Sequence, residues 1–124
     1  MAYILAVDDS KTIRDLVSAI LIDAGHQVDV AEDGVEAMKL ARENQYDLIL
    51  SDVNMPNMNG NSLLNKLRNM QNYQSTPILM VTTEGDGYKK DKAKGAGASG
   101  WLQKPFDAER LSSAVNSLLA KQAA

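Results

Sequence analysis

The chain is 124 residues long, which suits one domain. Apolar residues make up 44% and charged residues 23%, enough for an ordinary core and unlike a disordered composition. There is no cysteine, which excludes disulfides and thiolate metal sites, and the net charge of −3 leaves no overall basic footprint for nucleic acid.

No apolar run approaches the roughly 20 residues needed to cross a bilayer. The start, from Met1 to Val7, lacks a basic region and runs straight into Asp8-Asp9, so it reads as a strand rather than a signal peptide. The tail from Ala120 has no room for a second domain. The expectation is one domain over residues 1–124, without an output domain. It is placed in the cytoplasm, as a monomer with neither nucleic acid nor membrane as partner.

Ile4 to Val7 is a short apolar run ending in acids. Ile13, Leu16, Val17, Ile20 and Leu21 then recur at spacings of three and four, which is one face of a helix. Ser10 supplies an N-cap and Gly25 a C-terminal stop. Val28 and Val30 fit a second, more polar strand, and Val35, Met38 and Ala41 a second helix. Leu48-Ile49-Leu50 forms a third strand ending at Asp52. The loop from Met55 to Gly60 is rich in turn formers. Leu63, Leu64, Leu67 and Met70 mark a third helix, and Pro77 precedes a fourth strand, Ile78 to Val81.

Residues Gly85 to Gly95 predict a short, mobile fourth helix with almost no apolar face. Gly85 and Gly87 cost it roughly 1 kcal/mol each against alanine. Lys89, Lys90, Lys92 and Lys94 make it locally positive, which suits a solvated helix and a partner-binding segment equally well. Trp101-Leu102 lies in a short fifth strand. Asp107 caps a last helix with Leu111, Ala114, Val115, Leu118 and Leu119 on one face.

Strand-helix alternation of this kind predicts an α/β fold: a (βα)5 doubly wound, five-stranded parallel sheet with helices on both faces. Ligands in such sheets bind outside the carboxyl ends of the strands. Asp8 and Asp9 end strand one, Asp52 ends strand three, Thr82 and Thr83 end strand four, and Lys104 follows strand five. An acid pair after a strand is, by itself, usually a polar strand end or a cap. Several such groups at successive strand ends make a common rim the stronger reading.

Clustered carboxylates repel one another unless a cation sits among them. Their oxygens suit a hard divalent ion such as Mg²⁺, which takes one or two carboxylates and keeps several waters. With a cation present, one carboxylate can act as a nucleophile toward phosphorus. The transferring phosphoryl group then needs positive charge and donors, which Lys104 and Thr82 can supply.

At this point the chain resembles the receiver domains of two-component response regulators, over nearly its whole length. The matching pieces are Val7-Asp8-Asp9-Ser10, the run from Asp52 to Gly60, Val81-Thr82-Thr83-Glu84, Gly95-Ala96 and Lys104-Pro105-Phe106. Each piece is weak alone, and their order and spacing together are specific. The resemblance implies the flavodoxin/CheY-like version of the doubly wound fold.

It also implies roles. Asp52 matches the phosphoacceptor. Asp8 and Asp9 match the acid pair that holds Mg²⁺, Asp9 directly and Asp8 mainly through water, with the Asn54 backbone carbonyl as the third protein ligand. Lys104 matches the lysine that pairs with the acceptor and its phosphoryl group, and Thr82 the switch hydroxyl. The Lys104–Pro105 bond is cis in this family.

Within the family, the likeness is greatest to stand-alone, CheY-type chemotaxis regulators. Asn54 and Glu84 match residues beside the path of the hydrolytic water, which implies fast self-dephosphorylation. The expected donor is a CheA-like histidine kinase and the expected target a downstream protein such as a flagellar motor switch protein. The face that rearranges is assigned to Thr83, Glu84, Tyr88, Trp101 and the last helix. No turnover of an external substrate is expected, so the chain is read as a switch and not an enzyme.

One departure stands out. CheY-type regulators carry tyrosine where this chain has Trp101, its single tryptophan. The larger indole implies either a biased switch or a different partner contact, unless Trp101 is simply a strand residue partly buried under the last helix. The departure bears on motor binding rather than on phosphorylation.

Three rival readings remain. A phosphorelay intermediate or phosphate sink would use the same chemistry. An aspartate-nucleophile phosphatase would show Asp-x-Asp after the first strand, which Asp8-Asp9-Ser10 lacks. A flavin-binding module would need a phosphate loop there, and two acids have the wrong charge for it.

Overall fold

The computed structural model describes residues 1–53, 55, 57–83 and 97–123. The expected fourth helix, together with Asn54, Pro56, Glu84, Tyr88 and the Gly95-Ala96 pair, lies outside the described residues.

The elements follow the expected alternation. They are β1 (Tyr3–Val7), α1 (Lys11–Asp23), β2 (Gln27–Ala31), α2 (Gly34–Glu43), β3 (Leu48–Asp52), α3 (Gly60–Arg68), a 3₁₀ turn (Gln71–Tyr73), β4 (Ile78–Thr83), β5 (Gly100–Lys104) and α4 (Ala108–Ala123). The strands form one parallel sheet in the order β2-β1-β3-β4-β5. The order reverses between β1 and β3, and this switch point opens a crevice at the carboxyl ends of those two strands.

Side chains alternate across each strand, and both faces are covered. On one face Leu5, Val7 and Ile49 pack with Ala37, Met38 and Ala41 of α2 and Leu63, Leu64 and Leu67 of α3. On the other, Ile4, Ala6, Leu48 and Leu50 pack with Val17 and Leu21 of α1 and Leu111 and Val115 of α4. That double burial is why β1 and β3 read as unbroken apolar runs. Each fully buried Leu or Ile contributes about 1.5–3 kcal/mol.

The helix ends carry their signals. Ser10 accepts a hydrogen bond from the Ile13 N–H (3.4 Å) and Asp107 from the Arg110 N–H (2.8 Å). Gly25 follows α1 with φ 94°, a left-handed conformation glycine adopts without steric cost. Two side chains assigned to buried helix faces are exposed instead: Leu16 at 43% and Val35 at 55%. At 100° per residue, Leu16 sits about 140° around α1 from Leu21, and Val35 about 120° around α2 from Ala41. The spacing of three and four caught them, but the buried stripe is narrower.

Trp101 is half-buried against the core layer shared with α2 and α3, while its neighbour Leu102 faces the layer of α4. Trp101 also borders a cleft that it shares with Asp107, Glu109, Arg110 and Ser113 at the start of α4, so the last helix stands beside it. Among the described residues no helix is long and apolar enough to cross a membrane.

Candidate functional site

The carboxyl ends of β1, β3, β4 and β5 bring Asp8, Asp9, Asp52, Thr82 and Lys104 to one rim, as the strand-end pattern predicts. Asp8, Asp52 and Thr82 are each only 5% exposed, whereas Asp9 is open to solvent. Carboxylate oxygens of Asp8, Asp9 and Asp52 all lie within 4.8 Å of one another. Thr83 ends β4, its backbone in register with Lys104.

The Lys104 ammonium stands 2.9 Å from Asp8 Oδ2 and 3.4 Å from Asp52 Oδ2. The resemblance paired Lys104 with the acceptor, yet its shorter contact is to Asp8. The other Asp8 oxygen accepts from the Ser10 N–H (2.9 Å), and the Asp8 carbonyl accepts from Arg14 (2.8 Å). Burial alone would pull the Lys104 ammonium down. The Asp8 hydrogen bond and the charges of Asp52 and Asp8 outweigh it, and the net shift is upward. The Lys104–Pro105 peptide is cis.

The loop after β3 is held from two sides. Gly60 opens α3, and its N–H donates to the Val53 carbonyl at 2.8 Å. A Cβ at Gly60 would lie 2.3 Å from the Asp52 carbonyl oxygen and 2.8 Å from Val53 Cα, so no side chain fits. Asn57, at φ 69°, donates to Asp33 Oδ2 (2.9 Å). The other Asp33 oxygen caps α2 through the Glu36 N–H, at 2.9 Å. These two donors, the Glu36 N–H first, hold the Asp33 carboxyl below the usual aspartate range.

Sequence reasoning took Asn57 and Gly60 as generic turn formers and passed over Asp33 and Arg14. Asp33-x-x-Glu36 is a capping signature that could have found the first. The Asn57 and Arg14 contacts reach across the fold or up a helix, and no spacing rule reports them.

Three hard oxygen donors this close, with a lysine beside two of them, suit a small divalent cation better than a soft metal. The donor set therefore fits Mg²⁺. Asp8 already has one oxygen on Lys104 and the other on the Ser10 N–H, which leaves the exposed Asp9 the freer ligand.

The response regulator receiver domain family matches residues 4–116, and the chain belongs to that family. A solved structure of the chemotaxis response regulator CheY4 of Vibrio cholerae is 47% identical, with a TM-score of 0.91, over 95% of this chain and 98% of that one. The protein PilH of Pseudomonas aeruginosa is 38% identical over 97% of this chain and 99% of its own length. A probable transcriptional regulator, ycf29, of Porphyra purpurea is 38% identical over 96% of this chain. The chain spans 57% of that regulator, and about half of several curated relatives it matches.

Proposed function

We propose that this receiver is a phosphorylation switch whose acceptor is Asp52. The observation that carries the reading is Asp52 itself: a buried carboxylate at the switch point of the sheet, beside Lys104 and within a three-carboxylate cluster.

In the proposed reaction an Asp52 oxygen attacks the phosphorus of a phosphohistidine on a partner kinase. The O–P bond forms as the P–N bond breaks, and the leaving imidazole keeps the electron pair and takes a proton. Lys104 sits where it can balance charge on the incoming phosphoryl oxygens. Asp9, Asp8 and Asp52 would hold Mg²⁺, with the Asn54 carbonyl as the further ligand the family pattern implies. Bound Mg²⁺ supplies positive charge for the transferring group. Thr82, buried at the end of the neighbouring strand, then turns its hydroxyl toward the phosphoryl oxygens. The new contacts favour a second conformation of the face around Trp101. They must be worth a few kcal/mol to shift that population usefully.

Receiver domains take phosphate from histidine kinases and act on downstream targets. The likeness to CheY4 and to the similarly short PilH supports a chemotaxis-type pathway, with a CheA-like donor and a protein target. The transcriptional relatives keep the output open, and a phosphorelay or phosphate-sink role uses the same chemistry. No turnover of an external substrate is proposed.

The test is an intact mass after incubation with Mg²⁺ and acetyl phosphate, beside Asp52→Asn. One phosphoryl adduct in the wild type and none in the variant is expected. An adduct that persists in the variant would move the acceptor elsewhere. None in either, repeated with histidine kinases as donors, would make the chain a phosphorylation-independent binding module.

A further inference from the structure

On the flank formed by α2 and α3 lies a groove of about 320 Å³, lined by Val35, Met38, Arg42, Met58, Lys66 and Asn69. That is at the small end of ligand clefts, about 300–1,000 Å³, and is room for an anchoring side chain or two. Its ends differ. Val35, in the first turn of α2, and Met58, just before α3, make the end nearest the rim apolar. Arg42 and Lys66, in the last turns of the two helices, make the far end cationic.

Cations near helix C-termini are common, because the helix dipole favours them. The dipole explains each charge but not the company they keep. Among the described residues no carboxylate lines the groove, and neither Arg42 nor Lys66 has an ion-pair partner. Both stand out on a chain of net charge −3. Val35 is 55% exposed beside two methionines, whose unbranched thioethers repack readily around a guest.

We infer that this groove docks an acidic amphipathic helix of a partner protein. Its apolar anchors seat on Val35, Met38 and Met58, and its carboxylates reach Arg42 and Lys66. The groove is also built into the loop that follows Asp52. Met58 packs on Gly34, where a Cβ would come within 2.8 Å of it, and Asn57 ties the same loop to Asp33. Docking does not depend on the phosphorylation proposed above, and the test uses unphosphorylated protein so that the two readings fail separately.

The probe is a synthetic helical peptide with Leu and Phe anchors four residues apart and three glutamates at one end. It is titrated into the full chain labelled at the methionine methyls and backbone amides, beside a peptide with lysines in place of the glutamates. The expected result is shifts at the Met38 and Met58 methyls, with the lysine peptide about tenfold weaker or worse. Arg42→Glu/Lys66→Glu, both exposed positions, should reverse that preference while leaving the unbound spectrum of the core unchanged. Equal binding of the two peptides, shifts centred on the Trp101 face, an unchanged preference in the double variant, or no binding at millimolar peptide would each overturn the inference.

Discussion

Lys104 is the residue on which the charge balance of the rim turns. It contacts two buried carboxylates at 2.9 and 3.4 Å, while its own side chain is 18% exposed. Removing the ammonium takes from Asp8 and Asp52 the cation that they share. Breaking a fully buried pair costs about 3–5 kcal/mol; the open rim lets water in, so Lys104→Met should cost roughly 1–3 kcal/mol. Added Mg²⁺ should recover more stability in the variant than in the wild type, since a cation then fills the same electrostatic gap. Urea denaturation with and without MgCl₂ measures both, and equal Mg²⁺ gains in the two proteins would refute the account. The pH dependence has a definite sign. The folded ammonium titrates above its ordinary value, so its stabilisation is fully present below about pH 10.4 and is lost as pH rises through the higher folded value. Stability from this pair should be flat across neutral pH.

At the scale of elements, the junction of β3 with α3 decides how Asp52 is presented. Alanine is the better helix former, and propensity alone favours Gly60→Ala by up to about 1 kcal/mol. The Asp52 carbonyl, 2.3 Å from the added Cβ, reverses that sign. Overpacking of this kind costs about 1–3 kcal/mol, and relief requires α3 to back away from the acceptor strand. The variant should therefore lose stability and also acquire phosphate more slowly, read from denaturation and from the rate of adduct formation. A stabilised Gly60→Ala protein would show that the contact relaxes freely. The sequence pattern located this junction through Asn57, Asn59 and Gly60 as turn formers. It could not tell that Gly60 is needed for lack of space rather than for φ. The same holds for Asp29. A charge in an edge strand looked merely polar, yet Tyr3 and Tyr46 both donate to its Oδ2 from distant parts of the chain. Burial first, and then that carboxylate, push the Tyr46 phenol upward.

Across the whole molecule, Arg68 links the end of α3 to two later segments. Its guanidinium donates to the carbonyls of Tyr73 and Thr76 (both 2.7 Å) and to the Gly97 carbonyl at 2.8 and 3.0 Å. Four main-chain bonds from one side chain stitch the 3₁₀ turn and the approach to β5 onto α3, with Gly97 held at φ 103°. Arg68→Met should cost about 2–4 kcal/mol, because several carbonyls lose a charged donor together. Lys at this position should recover little, since an ammonium lacks the planar fork. Thermal unfolding of the two variants checks both statements; recovery by lysine would mean that charge alone matters.

The sequence by itself determined the element order, the parallel sheet and the set of groups at its rim. Those features rest on local periodicity and on the rule that parallel strands present their carboxyl ends together. Capping at Ser10 and Asp107 was legible for the same reason, since a cap acts within three residues. What only the tertiary structure decided are relations between residues far apart in the chain. Lys104 lies nearer Asp8 than Asp52, Leu16 and Val35 fall outside the buried stripes, and Trp101 faces the α2–α3 layer. Such outcomes depend on where distant side chains meet in space, and periodicity along one chain carries no information about that distance.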